Sequence, residues 1–167
     1  ACAIDDNVQN HQLMLLHGAQ GKGKSTFIRH LLPPELKDYY RNGMIIPENN
    51  NHLLQLSSCL LINLDEFDTL SPERMQNLKS LITQDVVNER KVYDIQNYTY
   101  IRRASFIAST NNPHCMPDVK ENRRILFSTL LNIDYHTPVN HEGIYAQAYA
   151  LYRQGFQSVS YTHLRAH

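Results

Sequence analysis

Of the residues able to do chemistry, the most specifically spaced are Gly18-Ala19-Gln20-Gly21-Lys22-Gly23-Lys24-Ser25. The run matches the phosphate-binding pattern G-x-x-x-x-G-K-[ST] at every fixed position. Gly18, Gly21 and Gly23 allow backbone conformations closed to other residues and a close approach to an anion. Successive N–H groups, from Ala19 and Gln20 through Lys22 to Ser25 and Thr26, would then converge on phosphates at the start of a helix. In that arrangement Lys24 reaches the β- and γ-phosphates of a nucleoside triphosphate, and the Ser25 hydroxyl holds Mg²⁺. A glycine-rich turn that fits by chance is the competing reading. It loses once the neighbours are counted, because an apolar strand precedes the loop and a helical pattern follows it.

Asp65 and Glu66 end a second apolar run, 59–64. An apolar strand closing on two carboxylates is the Walker B pattern, with Asp65 holding Mg²⁺ through water and Glu66 orienting or deprotonating an attacking water. Alone it would read as a surface acidic turn, but it follows the glycine loop by about forty residues, as such sites space them. Asn111 and Asn112 lie at the tip of a third apolar run, 105–110, where a polar group can meet both the γ-phosphate and that water. A plain turn asparagine enforced by Pro113 is the alternative. Arg123 and Arg124 precede a further strand. Paired arginines there usually form salt bridges, and they can also act in trans on a neighbouring subunit's nucleotide. Arg90, Lys91, Arg102 and Arg103, with Tyr93, Tyr98 and Tyr100, make a basic and aromatic cluster able to meet phosphates and stack on bases. An ordinary exposed hairpin fits those residues equally well.

The elements that must position these groups follow from pattern. Residues 12–17 have the length of a buried strand, and 26–32 have helical spacing that stops at Pro33-Pro34. Between 35 and 51 we expect a short polar helix and then a loop, since Pro47 and Asn49-Asn50-Asn51 oppose regular structure. Ser71 is a natural N-cap with Pro72 at the first helical position, and Met75, Leu78, Leu81 and Ile82 share one face of a helix ending near Thr83. Lys79 lies off that face and reads as a solvated lysine. Residues 88–93 and 98–103 form two strands joined through 94–97, and 125–130 forms another strand. Ile144, Ala148, Leu151 and Tyr152 line one side of a helix from about 142 to 154, closed by Gly155.

With 167 residues, 42% apolar and 19% charged, the chain is one globular domain able to bury a core. Sixteen basic and sixteen acidic residues cancel, so a nucleic-acid or membrane partner would have to be met by a local patch. Three cysteines without C-x-x-C spacing point to reduced thiols and a cytoplasmic protein, with Cys59 in the core. Nine histidines form no ligand-spaced pair, so a metal site made only of side chains is not expected. No run approaches a membrane span. The start at Ala1 and the last residues, which resemble translated adapter sequence, lead us to expect a core over 1–156 cut from a longer protein and a tail, 157–167, without a role.

Gly-x-Gln-Gly-x-Gly-Lys-Ser, Leu-Asp-Glu-Phe, Ser-Thr-Asn-Asn and Asn-Arg-Arg occur in that order. With Ala146-Gln147-Ala148-Tyr149 in the last helix, the chain resembles the virulence-associated E family over about 13–155. That family comprises P-loop ATPases of bacterial mobile elements and phages, related to the primase-helicases of helicase superfamily 3. The resemblance implies an α/β P-loop NTPase fold, AAA+-like and three-layered around a mainly parallel sheet. It further implies ATP, Mg²⁺ and a homo-oligomeric ring, expected to be a hexamer, whose subunits complete one another's sites. Lys24 and Ser25 would take the phosphate and metal roles, Asp65 and Glu66 those of Walker B, and Asn111 that of sensor. Arg123 or Arg124 would be the finger, with Arg124 preferred. Lys79 through Arg103 looks like the stretch where relatives place a DNA-contacting hairpin, which makes single-stranded DNA the expected partner. The function implied is an ATP-driven motor acting on DNA in replication or mobilisation of an element. A small-molecule kinase and an ATP-dependent switch are the alternatives.

Overall fold

The structure, a computed structural model, describes residues 5–45, 50–64, 67–90, 97–113, 115 and 124–156. Five short strands form the central sheet: β1 (Leu13–His17), β2 (Tyr40–Asn42), β3 (Leu61–Leu64), β6 (Ser105–Thr110) and β7 (Ile125–Thr129). Their spatial order is β2-β3-β6-β1-β7, and all four pairings are parallel. Parallel strands covered on both faces read as unbroken apolar runs, which is why β1, β3 and β6 stood out in the sequence. The expected mainly parallel α/β architecture is what the chain adopts.

Alternation along the strands divides the core between the two faces. Leu13 and Leu15 of β1, Ile62 and Leu64 of β3, and Phe106 and Ala108 of β6 join the larger cluster. Helices α2 (Asn50–Ser58) and α3 (Pro72–Ile82) cover it with Leu56, Leu78, Leu81 and Ile82. On the other face Leu16 and Ile107 pack against Ile28 of α1 (Lys24–Arg29). Ser71 caps α3 as its sequence implies, its Oγ accepting the Arg74 N–H at 3.3 Å behind Pro72.

Three departures have physical causes. First, α2 occupies part of the stretch expected to be a loop. Asparagine disfavours a helix interior but is favoured at helix starts, and Asn50 and Asn51 open this one. Second, the hairpin of β4 (Val86–Arg90) and β5 (Asn97–Ile101) forms a separate antiparallel pair and starts two residues earlier than expected. Val87 is fully buried in the larger core cluster and anchors it there. Third, α4 (His141–Arg153) forms with an Asn140 cap and ends at Gly155 in the left-handed region (φ 70°), yet it buries none of its residues. Ile144 remains 54% exposed, so the apolar side of the helix is not core-facing. Polar contacts attach the helix instead: Tyr145 Oη donates to the Leu31 carbonyl (3.1 Å) and Tyr152 Oη to Asp5 Oδ2 (2.6 Å). No helix among the described residues is long and apolar enough to cross a membrane.

Candidate functional site

Because the central strands are parallel, the loops leaving their C-terminal ends all open on one edge of the sheet, where ligands of such sheets bind. His17 is in register with Thr110 on one side and Thr129 on the other. The glycine loop, Asn111 and the segment after β7 therefore emerge side by side.

Gly21 (φ 76°) and Gly23 (φ 78°) hold left-handed conformations that L-residues resist, which explains those two glycines. At Gly18 the constraint is space, since a Cβ there would stand 3.0 Å from the Leu130 carbonyl oxygen. Ala19, Gln20, Gly21, Lys22, Ser25 and Thr26 are exposed around the loop, whereas Lys24 is only 7% exposed. Its ammonium donates to the carbonyls of Gly18 (2.7 Å) and Ala19 (2.9 Å) and to Asn111 Oδ1 (2.7 Å). Those three contacts use every proton of the charged form. Burial lowers the lysine pKa, and the nearby charge of Asp68 opposes that shift.

Asp68 was not singled out in the sequence, where it reads as one more acid after the pair at 65 and 66. It sits on a single 3₁₀ turn, Phe67–Thr69, anchored by the buried Phe67. One carboxylate oxygen accepts the Thr110 hydroxyl, and the other accepts the Asn111 backbone N–H at 3.3 Å. A carboxylate thus fixes the strand tip that carries the lysine's side-chain partner. No local pattern links residues 42 positions apart; only the pairing of β3 with β6 brings them together.

Other expected site residues fall elsewhere. Asp65, Glu66, Lys91 and Arg123 lie outside the described residues. Arg124 stands at the start of β7, where its carbonyl accepts the Leu13 N–H (2.7 Å) and its Nη1 donates to the Lys79 carbonyl (3.1 Å). That is the N-terminal edge of the sheet, about 16 Å along β7 from the glycine-loop edge at the usual strand rise. The structure therefore does not bring Arg124 to its own chain's Lys24. Lys79 is half-buried in the last turn of α3, and Arg90 ends β4 opposite Asn97.

Arg102 corrects the expectation of a nucleic-acid contact. It is 1% exposed, and its guanidinium donates to the carbonyls of Gln84 (2.6 Å), Ala104 (2.6 Å), Asn10 (2.8 Å) and Ile82 (3.2 Å). Period-two alternation from Tyr100, which packs against the core, already pointed Arg102 inward. Arg103 faces the other way and pairs with Asp6 at 2.6 Å in a partly exposed bridge.

A family model, the virulence-associated protein E-like domain, matches residues 3–166. No curated protein matches the chain. Among solved structures, an A-form apo structure of the NrS-1 C-terminal region is similar at TM-score 0.54 and 16% identity, covering 91% of this chain and 38% of that one. A second A-form structure, of residues 305–718, gives 0.53 and 16% over 77% and 30% of the two chains. A further apo structure of the same region gives 0.53 and 17% over 84% and 36%. At such identities the likeness is one of fold, and the chain spans about a third of those solved chains. The family match runs over nearly the whole sequence, and the chain belongs to the virulence-associated protein E-like domain family.

Proposed function

We propose that this chain is the P-loop ATPase core of a motor acting on DNA, in replication or mobilisation of a phage or mobile element. One observation carries the reading: the Lys24 ammonium and the Asn111 amide, on loops from adjacent parallel strands, meet at 2.7 Å. The pairing of β1 with β6 sets the loops of a motif lysine and a strand-tip asparagine 87 residues later side by side, but gives their polar atoms no reason of their own to meet. They do have a chemical one if both face a γ-phosphate. The strand order supports the same reading, because β6 lies between β1 and β3 and so places Asn111 between the glycine loop and the run that ends at Leu64.

The residues present fit Mg²⁺ and ATP. The carbonyls and amide that now occupy Lys24 are ones a triphosphate would replace, and Ser25, the next residue along the loop, is exposed. Ser25 and Asp65 would hold Mg²⁺, which supplies charge neutralisation at the β- and γ-oxygens. Lys24 would bind those oxygens, Glu66 would orient or deprotonate the attacking water, and Asn111 would position it. Arg123 or Arg124 would reach a neighbouring subunit's nucleotide in a ring. Single-stranded DNA would meet the hairpin face through Lys79, Arg90, Lys91 and Arg103.

Hydrolysis of ATP with Mg²⁺, with and without single-stranded DNA, tests this. Activity should be abolished by Lys24→Ala and fall about 10²-fold in Asn111→Ala. Arg103→Ala should weaken DNA binding and flatten its salt dependence. No turnover under any DNA or protein concentration would refute the motor reading.

A further inference from the structure

The segment after β7 does more than leave the sheet. Tyr135 lies against Gly23, so closely that a Cβ on the glycine would run into Cδ1 of the ring and stand 2.5 Å from Cε1. The requirement for glycine at 23 is therefore double: a left-handed backbone, and an aromatic ring occupying the space of any side chain. His136 extends the surface, its ring centroid 4.2 Å from that of Tyr135 at an interplanar angle of 37°. The pair is presented by a closed turn. Both oxygens of Asp134 are engaged, accepting the N–H of His136 (3.1 Å) and the N–H (3.1 Å) and hydroxyl (2.6 Å) of Thr137.

Topology gives this surface a direction. Asn111 comes from β6 and Tyr135 from beyond β7, and these strands flank β1 on opposite sides. The strands β6 and β7 themselves are about 10 Å apart, two strand spacings. Lys24 and Asn111 mark the β6 side as the place for the terminal phosphate. A triphosphate laid across the end of β1 then delivers its nucleoside to the β7 side, from which the segment carrying Tyr135 and His136 leaves the sheet. The Tyr135 hydroxyl and the His136 ring nitrogens have no hydrogen-bond partner among the described residues, while the rings are half-buried and exposed respectively.

We infer that Tyr135, extended by His136, is the platform on which the base of the bound nucleoside triphosphate stacks. This rests on the nucleotide reading above and adds a specificity claim. Every base has a π-face, so a stacking platform detects that a base is present and discriminates weakly between bases. ATP and GTP should bind within a few-fold of each other, and inorganic tripolyphosphate more weakly than either.

Calorimetric titration of the full chain with ATP, GTP and tripolyphosphate, each with Mg²⁺, tests the inference. Tyr135→Ala should weaken ATP about tenfold, the usual loss when one base stack is removed, and leave tripolyphosphate unchanged. Tyr135→Phe should bind ATP as the parent does. Tyr135→Leu, which still covers Gly23 without a π-face, should behave like the alanine variant. Equal weakening of ATP and tripolyphosphate by Tyr135→Ala would reduce the ring to a prop for the loop and overturn the inference. So would full ATP affinity in Tyr135→Leu, or a parent chain that binds ATP no better than tripolyphosphate. Those three outcomes leave the phosphate site standing. A parent chain that binds neither ligand overturns both readings together.

Discussion

The ammonium of Lys24 is pulled two ways, with burial favouring the neutral amine and Asp68 favouring the cation. A base with a lowered pKa gives up its proton at lower pH, so anion affinity is lost on the alkaline side. The charge of Asp68 holds that loss to higher pH. Asp68→Asn should therefore move the alkaline limb of Mg·ATP affinity to lower pH, as nucleotide titrations across alkaline pH would show. Asp68→Ala also frees the tip of β6, and misplacing Asn111 should lower kcat about 10²-fold with a smaller change in KM. Arg102 makes a different prediction, because its guanidinium ties the end of α3, the start of β6 and the N-terminal segment together through their carbonyls. Arg102→Ala would leave several buried carbonyls unsatisfied and should cost about 3 kcal/mol, read as a lower urea midpoint at unchanged slope. Arg102→Lys should recover only part of that, since one ammonium cannot reproduce a planar fork.

Elements differ in how openly the sequence declared them. β1, β3 and β6 were legible because both faces are covered, and α3 because Ser71 and Pro72 state its first turn. β2 was not, being a three-residue edge strand, Tyr-Arg-Asn, with one residue half-buried and two exposed and so no apolar run. The glycine loop and Asn111 were readable from residue type, whereas the contacts of Asp68 and Tyr135 are set only by strand order. Helix α4 was readable as a helix but not in what it packs against, because its attachment is polar. The Tyr152 hydroxyl bond, followed by that from the Asn7 N–H, lowers the Asp5 pKa, so this contact stabilises above the ordinary carboxylate value and is lost as pH falls through the lowered one. Amide exchange in the last turns of α4, taken relative to the intrinsic rate at each pH, should accordingly be slow at neutral pH and faster below about pH 4. In Tyr152→Phe it should be fast at both, and a pH response surviving that change would assign the release to another group.

At the scale of the whole molecule, the sheet separates two of its candidate groups. Lys24 lies at the edge where parallel strands end, and Arg124 at the edge where β7 begins, with the length of a strand between them. No side-chain rotation closes that gap, so if Arg124 acts on a triphosphate it acts on one held by another copy. Three consequences follow for ATP hydrolysis. Specific activity should rise with protein concentration as copies associate. Arg124→Ala should cut kcat by about 10³-fold, the scale of a supplied arginine, while ATP affinity stays close to that of the parent. Most directly, Lys24→Ala and Arg124→Ala chains, each inactive alone, should recover activity when mixed. An interface between them pairs an intact Lys24 on one copy with an intact Arg124 on the other. If the mixture stays as inactive as its components while both variants still assemble, Arg124 serves α3 through the Lys79 carbonyl and nothing more. The undescribed Arg123 would then be the arginine to test in the same mixing experiment.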